Sequence, residues 1–332
     1  MKNVDNYNPQ FSAPILLVLF NRPQYFHQTA ASINKSNPSK LYIHIDGPRD
    51  GDDIKKINEI KGLLDEVNPS IDKEILIQED NLGCRAGMVS AIDWFFENED
   101  FGIILEDDCI PHESFYEYCS KLLIEFKNEK DIFMISGDNG GEIVPSKFFK
   151  NNDIMSVPIP LIWGWATWKD RWEEYERNKP NLNLMSLYKN LRDFKSFERF
   201  FLINYFLKLK NYESLNTWDI HLFYTLVLKR KSCIIPSFNL IKNIGFNEEA
   251  THTKETTFRS SAETHKIKIK QKTYTDSFKK LNSKIIYLLQ SNLDSKTVHN
   301  RSLLYIRAVY LKGRLRYLIR SVWSKLKKTI RA

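Results

Sequence analysis

Three adjacent carboxylates, Glu106, Asp107 and Asp108, follow the apolar run Ile103-Ile104-Leu105. Such acids at a strand end repel one another, and a fold keeps them together when a cation offsets the charge. Carboxylate oxygens are hard ligands suited to Mg²⁺ or Mn²⁺, which keep open positions for water and substrate phosphates. The same residues also read as an exposed acidic turn. A further carboxylate, Asp219, stands between Trp218 and Ile220. It is either a general base or the N-cap of a helix over Ile220–Lys229. Asp138, also at a strand end, is the rival base. His252 is a metal ligand, a phosphate contact or neither, and Glu248 and Glu249 beside it read as solvated.

The elements that must position these groups alternate. Pro14–Phe20 is a continuous apolar run, as in a strand buried on both faces of a parallel sheet, and it ends at Asn21-Arg22-Pro23. A helix runs on to about Ser32. Strands over Leu41–Ile45 and Glu74–Gln78 end at Asp46-Gly47 and Asn81-Leu82-Gly83, with a charge-rich helix over Asp52–Glu66 between them. Gly87–Phe96 is amphipathic. After the triplet a helix starts near Ser114, with Ser114 as its N-cap, and Ile132–Ser136 is a further strand. Strands alternating with helices predict an α/β fold with a mostly parallel sheet. Ligands of such sheets lie at the carboxyl ends of the strands. There the sequence places Asn21, Arg22, Asp46, Arg85 and the triplet, a polar cleft able to hold a nucleotide and a metal. No GxGxxG follows the first strand and no GxxxxGK[ST] occurs, which argues against dinucleotide and P-loop sites.

Later stretches are less regular. Trp163, Trp165 and Trp168 cluster around Gly164, either as core or as a platform for sugar rings. Helices are expected over Ser196–Leu209 and Ile220–Lys229, a strand over Ser232–Pro236, and a polar lid or linker over residues 254–275. Cys84, Cys109, Cys119 and Cys233 form no CxxC pair and read as free thiols. The first residues lack the apolar core of a signal peptide, and no run reaches transmembrane length, so a cytoplasmic protein is expected.

The whole chain of 332 residues carries a net charge of +8, yet residues 301–332 hold ten Lys and Arg and no acid. The basic character belongs to the tail. From Leu311, apolar residues recur at Leu315, Leu318, Val322, Leu326 and Ile330, with bases off that stripe. This pattern fits a helix lying on an anionic membrane surface, peripheral on its inner face. It fits equally a helix packed on the rest of the protein or on a second copy. Nucleic-acid binding would leave the stripe without a partner. A catalytic domain over 1–275 and a helical tail over 276–332 are expected.

In their order, Pro14–Pro23, Leu41–Asp46, Asn81–Gly83, Ile103–Pro111, Trp163–Trp168, Trp218-Asp219 and Gly245–Thr253 resemble a bacterial family of GT-A-type, nucleotide-sugar-dependent glycosyltransferases. That family is distantly similar to the inverting N-acetylglucosaminyltransferase I of N-glycan synthesis. The resemblance covers roughly residues 12–255. It implies a GT-A, Rossmann-like fold and a UDP- or GDP-sugar donor held through Mn²⁺ or Mg²⁺. It makes Asp108 the metal ligand, with Glu106 and Asp107 on the donor's ribose or sugar. Asn21, Arg22 and Asp46 would line the base and ribose pocket, and Asp219 would be the base of an inverting transfer. The N-glycan enzyme has two adjacent acids at that motif, whereas Ile220 follows Asp219 here. The implied acceptor is a glycan hydroxyl, lipid-linked in surface-glycan synthesis. The rival functions are a sugar-phosphate nucleotidyltransferase, for which the Gly-rich basic loop after the first strand is absent, and a non-catalytic sugar-nucleotide or glycan-binding protein.

Overall fold

The computed structural model describes residues 12–140, 153–178, 184–192, 216–245 and 275–276, with helical residues at 199, 202, 203 and 206. In chain order the strands are β1 (Ile15–Leu19), β2 (Leu41–Ile45), β3 (Lys73–Ile77), β4 (Phe101–Glu106), β5 (Cys109–Pro111), β6 (Ile132–Ser136), β7 (Ile154–Val157), β8 (Trp165–Trp168), β9 (Ser232–Pro236), β10 (Ile241–Asn243) and β11 (Thr275–Asp276). The helices are α1 (Pro23–Ser36), α2 (Gly51–Leu63), α3 (Gly83–Asn98), α4 (Ser114–Glu125), α5 (Lys169–Trp172), α6 (Leu184–Asn190) and α7 (Asp219–Lys229).

β1 lies inside the sheet because its run is apolar on both faces. Leu16 packs on one side of the sheet, and Ile15, Leu17 and Leu19 on the other. It pairs in parallel with β2 and with β4, and β2 pairs in parallel with β3. The nine-stranded order is β11-β7-β9-β6-β8-β4-β1-β2-β3, and β5 and β10 form a separate antiparallel pair. α1, α2 and α4 cover one face through Phe26, Ile57 and Leu122. α3 and α7 cover the other through Ile92, Phe95 and Phe223. The chain is therefore α/β, with a mostly parallel sheet between two helical layers, as the sequence predicts.

Differences are local. β8 is antiparallel to both β4 and β6. Its alternation sends Trp165 to one core, and Ala166 and Trp168 to the other. Trp165 and Trp168 are thus buried in the sheet and offer no face to a sugar. Only half-buried Trp163 of that cluster remains near the surface. α3 starts at Gly83, earlier than its apolar stripe suggests. Gly83 sits at φ +79, and a Cβ there would lie 3.0 Å from Asn216 Nδ2. Ser114 is the first residue of α4 rather than its N-cap, and Glu113 is the N-cap. The Ser114 backbone N–H donates to His112 Nδ1 at 3.2 Å, so the histidine does the capping. The four described residues of the expected helix over Ser196–Leu209 are helical. The domain boundary proposed near 275 falls on β11, which pairs with β7. His252, Glu248, Glu249, most of the lid stretch and the basic tail lie outside the described residues.

Candidate active site

Arg22 follows β1 at the N-cap position of α1, directly before Pro23, and makes no cap bond with its side chain. Its guanidinium reaches across to the end of β4. Nη2 lies 2.7 Å from Asp107 Oδ1, and Nη1 lies 2.6 Å from Asp108 Oδ2. Burial works against the Arg22 charge, but Asp107 and Asp108 outweigh it and hold the pKa above its usual range. Burial first, then Asp108, push Glu106 well above the ordinary carboxylate range. Burial likewise raises Asp107, against the pull of Arg22. Burial leads both carboxylate shifts, and the crowding of the neighbouring acids adds to it.

The triplet is also clamped by its backbone. Thr29 Oγ1 on α1 donates to the Asp107 carbonyl at 2.9 Å. β10 pairs with β5 in the register Asn243↔Cys109. That register lays residues 243–245 over Asp108. Ile244 N–H donates to the Asp108 carbonyl at 2.9 Å, and Asn243 Nδ2 donates to Asp108 Oδ1 at 3.3 Å. A Cβ at Gly245 would fall 2.2 Å from Asp108 Oδ2, so a side chain there would push that carboxylate out of place. Asn243 carries no motif of its own, while Gly245 opens the Gly245–Thr253 stretch of the sequence pattern. The signal was a glycine two residues beyond a short strand.

Asp46 is at the same edge, but its carboxylate works locally. Oδ1 accepts from Gly47 N at 2.9 Å and from Leu82 N at 3.0 Å, and Oδ2 accepts from Asn81 Nδ2 at 3.0 Å. It ties the ends of β2 and β3 together, and Gly87 on α3 passes close to it. Asn21 donates to Asp53 Oδ1 at 2.6 Å, and Arg49 Nε donates to Asp53 Oδ2 at 2.7 Å. The Arg49 hydrogen bond leads the causes that hold Asp53 down at about 2. Arg49 and Asp53 are four apart on a helix entry, a spacing visible in the sequence but passed over there. Arg49 also lies 4.8 Å over the Phe20 ring, so Phe20, Asn21 and Arg49 form one rim of the cleft.

Asp219 belongs to the other helical layer. It is the first residue of α7, and Trp218 is the N-cap. It therefore does not fill the capping position. Thr217 Oγ1 donates to Asp219 Oδ1. Asp219 adds to the upward push on Glu106. Asp138 is 1% exposed, and its Oδ1 accepts from Gly140 N at 2.6 Å, which leaves little access for an acceptor. Arg85 points away from the triplet. Its Nη2 donates to the Arg177 carbonyl at 3.0 Å, and its backbone N–H donates to Asn216 Oδ1 at 3.0 Å.

The fold and the site define an α/β protein with a clamped carboxylate cluster at the carboxyl edge of its parallel strands. No known family matches the chain. No curated protein matches it by sequence. Among solved structures, it is similar to a UDP-glucose pyrophosphorylase complexed with UDP-glucose, at 8% identity and a TM-score of 0.39, over 70% of this chain and 92% of that one. It is also similar to the galactosyltransferase LgtC in complex with donor and acceptor sugar analogues, at 11% identity and a TM-score of 0.32, over 63% of this chain and 70% of that one. Likenesses at these scores carry nothing about activity to this chain.

Proposed function

We propose that the protein is a metal-dependent glycosyltransferase that moves a sugar from a UDP- or GDP-sugar to a glycan hydroxyl with inversion. One observation carries the reading. Arg22, at the end of β1, clasps Asp107 and Asp108 at the end of β4, which gathers a guanidinium and carboxylates at the carboxyl edge of the parallel strands, and Asp219 at the start of α7 is near enough to bear on Glu106. A group that offsets diphosphate charge and a base that deprotonates a hydroxyl are the two things the transfer needs.

The residues fit a divalent cation. Asp108, with 14% of its side chain exposed against 3% for Asp107, stands open beside the half-buried Glu106. Among the described residues no three His, Cys, Asp or Glu side chains converge on one point. The cation would therefore take oxygen from Asp108 and fill its shell with water and donor phosphates, the habit of Mg²⁺ and Mn²⁺. When bound, it supplies charge to the leaving diphosphate. Asp219 would take the acceptor's proton, and Asn21 with Arg49 and Phe20 would form the base and ribose rim. Arg22 is forked onto Asp107 and Asp108, so its part is to hold their charge in place and, beside them, to meet the diphosphate. His252 as a second ligand, the lipid-linked acceptor and the membrane-docked tail extend the same reading. Among the described residues no helix is long and apolar enough to cross a membrane.

The test is a screen of nucleotide sugars for slow donor hydrolysis with Mn²⁺, with Mg²⁺ and with EDTA, which needs no acceptor. Metal-dependent release of UDP or GDP supports the reading. Diphosphate release from a nucleoside triphosphate and a sugar phosphate would instead make the protein a nucleotidyltransferase. Binding of donors without turnover would leave a binding protein. Co-sedimentation with neutral and anionic vesicles, of the full chain and of a chain ending near Ser295, tests the tail. Equal pelleting removes the membrane role.

A further inference from the structure

α3 buries Met88, Ala91, Ile92 and Phe95. The rest of its surface lines a second cleft of about 990 Å³, outside the triplet. Arg85, Ser90, Asp93, Trp94 and Glu97 fall on that side of the helix, and Tyr175, Arg177 and Asn216 line the cleft from other parts of the chain. The volume lies at the upper end of the range for ligand sites.

The walls are arranged by contacts among themselves. Trp94 is half-buried and meets the Tyr42 ring edge-on at 5.3 Å. Trp172 Nε1 donates to Asp93 Oδ1 at 2.6 Å. Arg177 pairs with the same Asp93 oxygen and lies over the Trp172 and Tyr175 rings at 5.7 and 5.9 Å. Two arginines face two acids there, so the lining has no net charge. That balance disfavours a diphosphate or any polyanion. An indole with carboxylate, amide and guanidinium groups around it suits an uncharged, polyhydroxylated ligand: the ring offers an apolar body, and the planar groups exchange hydrogen bonds with hydroxyls.

The position of the cleft gives it a role. Asn216, at one end, accepts from the Arg85 backbone and stands three residues before Asp219. A chain of sugars in the cleft would lead to the carboxylate that takes the acceptor proton. We propose that the α3 cleft binds the acceptor glycan, an uncharged oligosaccharide whose terminal hydroxyl reaches Asp219. The proposal rests on the transferase reading for its direction, but not for the binding itself.

The experiment exposes the labelled full chain, with and without UDP and Mn²⁺, to a printed array of defined neutral and acidic glycans. Ser90→Trp fills the cleft, and Trp94→Ala removes the aromatic wall. Glu97→Ala changes an exposed position, and circular dichroism melts check that each variant folds. Retention of neutral glycans that drops at least tenfold in Ser90→Trp and in Trp94→Ala supports the cleft. Retention equal in wild type and in folded Ser90→Trp overturns it, as does an array with no neutral glycan retained. If Trp94→Ala fails to fold, Glu97→Ala takes its place, with a smaller loss expected. Donor hydrolysis by the wild type is scored separately. Glycans lost with Ser90→Trp but no donor hydrolysis would keep the cleft and remove the transferase.

Discussion

The two walls of the cleft are held by different forces. The triplet wall is an electrostatic clamp: Arg22 spans Asp107 and Asp108, Thr29 holds the Asp107 carbonyl, and residues 243–245 close over Asp108. The Asp219 wall is anchored by aromatic packing just behind the carboxylate. Trp218 is stacked on Trp165 at 5.7 Å, and its carbonyl accepts from the Tyr175 hydroxyl at 3.1 Å. Asp219 itself has Thr217 as its hydrogen-bond partner. The difference would suit the two tasks of the proposed transfer. A cation site needs fixed charge, whereas a base needs a fixed root and a side chain that can follow the acceptor.

Breaking the clamp should have the largest effect. Asp108→Ala is expected to lower metal-dependent turnover by at least about 10³-fold, since a catalytic cation supplies several kcal/mol, while the melting temperature changes little. Activity of this variant that persists in EDTA would remove the cation from the site. On the other wall, Asp219→Asn should keep donor binding by thermal shift and lose roughly 10²–10⁴-fold in transfer, the usual share of a general base. Near-normal transfer would leave Asp219 a structural residue. Gly245→Ala separates the clamp from the ligand. Its Cβ would overlap Asp108 Oδ2 at 2.2 Å, and a side-chain tip can move aside. Folding should survive, with donor turnover down by about 10²-fold through misplacement of the carboxylate. Unchanged turnover would show that the covering loop has no part in catalysis.

The smallest effect lies in the sheet beneath both walls. His44 on β2 is fully buried, and burial pushes its imidazole down to about 4, with Asp46 pulling the other way. Between the unfolded pKa of about 6.5 and 4, the unfolded chain takes up a proton that the folded one refuses. Stability is therefore present above that window and lost as pH falls through it. Between pH 7 and 5 the loss from this residue is about 2 kcal/mol. Urea melts at the two pH values should show it, and His44→Met should flatten the difference. Identical slopes for the two proteins would mean that His44 is protonated in the fold.

The first half of the molecule was legible because its signals are local. Pro14–Phe20 and Ile103–Leu105 are apolar on consecutive residues, so a strand buried on two faces was the direct reading, and the acids after them had to lie at its carboxyl edge. The four-residue β8 was hidden because its tryptophans read as core or as a ligand platform with no sign of which way each points, while alternation between two cores is what places them. The partners of the triplet were legible only in part. Arg22 was found, but as a donor contact rather than as the counter-charge of Asp107 and Asp108, a long-range pairing that spacing does not encode. Asp46 and Arg85 were found as polar ends of elements. Their bonds to Leu82 and Arg177 depend on how β2, α3 and the 175–177 turn come together.

The pairing of β5 with β10 has a consequence for synthesis. The residues that cover Asp108 leave the ribosome long after the triplet does, on the order of ten seconds at ordinary elongation rates. Through that interval β1 and β4 can already pair, and Arg22, made earlier still, is the nearest cation able to quiet three crowded acids. A nascent chain stalled after residue 140 is therefore expected to depend on Arg22 more than the finished protein does. Protease digestion of stalled chains carrying Arg22→Met measures that dependence, and equal protection with and without the substitution would show that β4 waits for β10 before it docks.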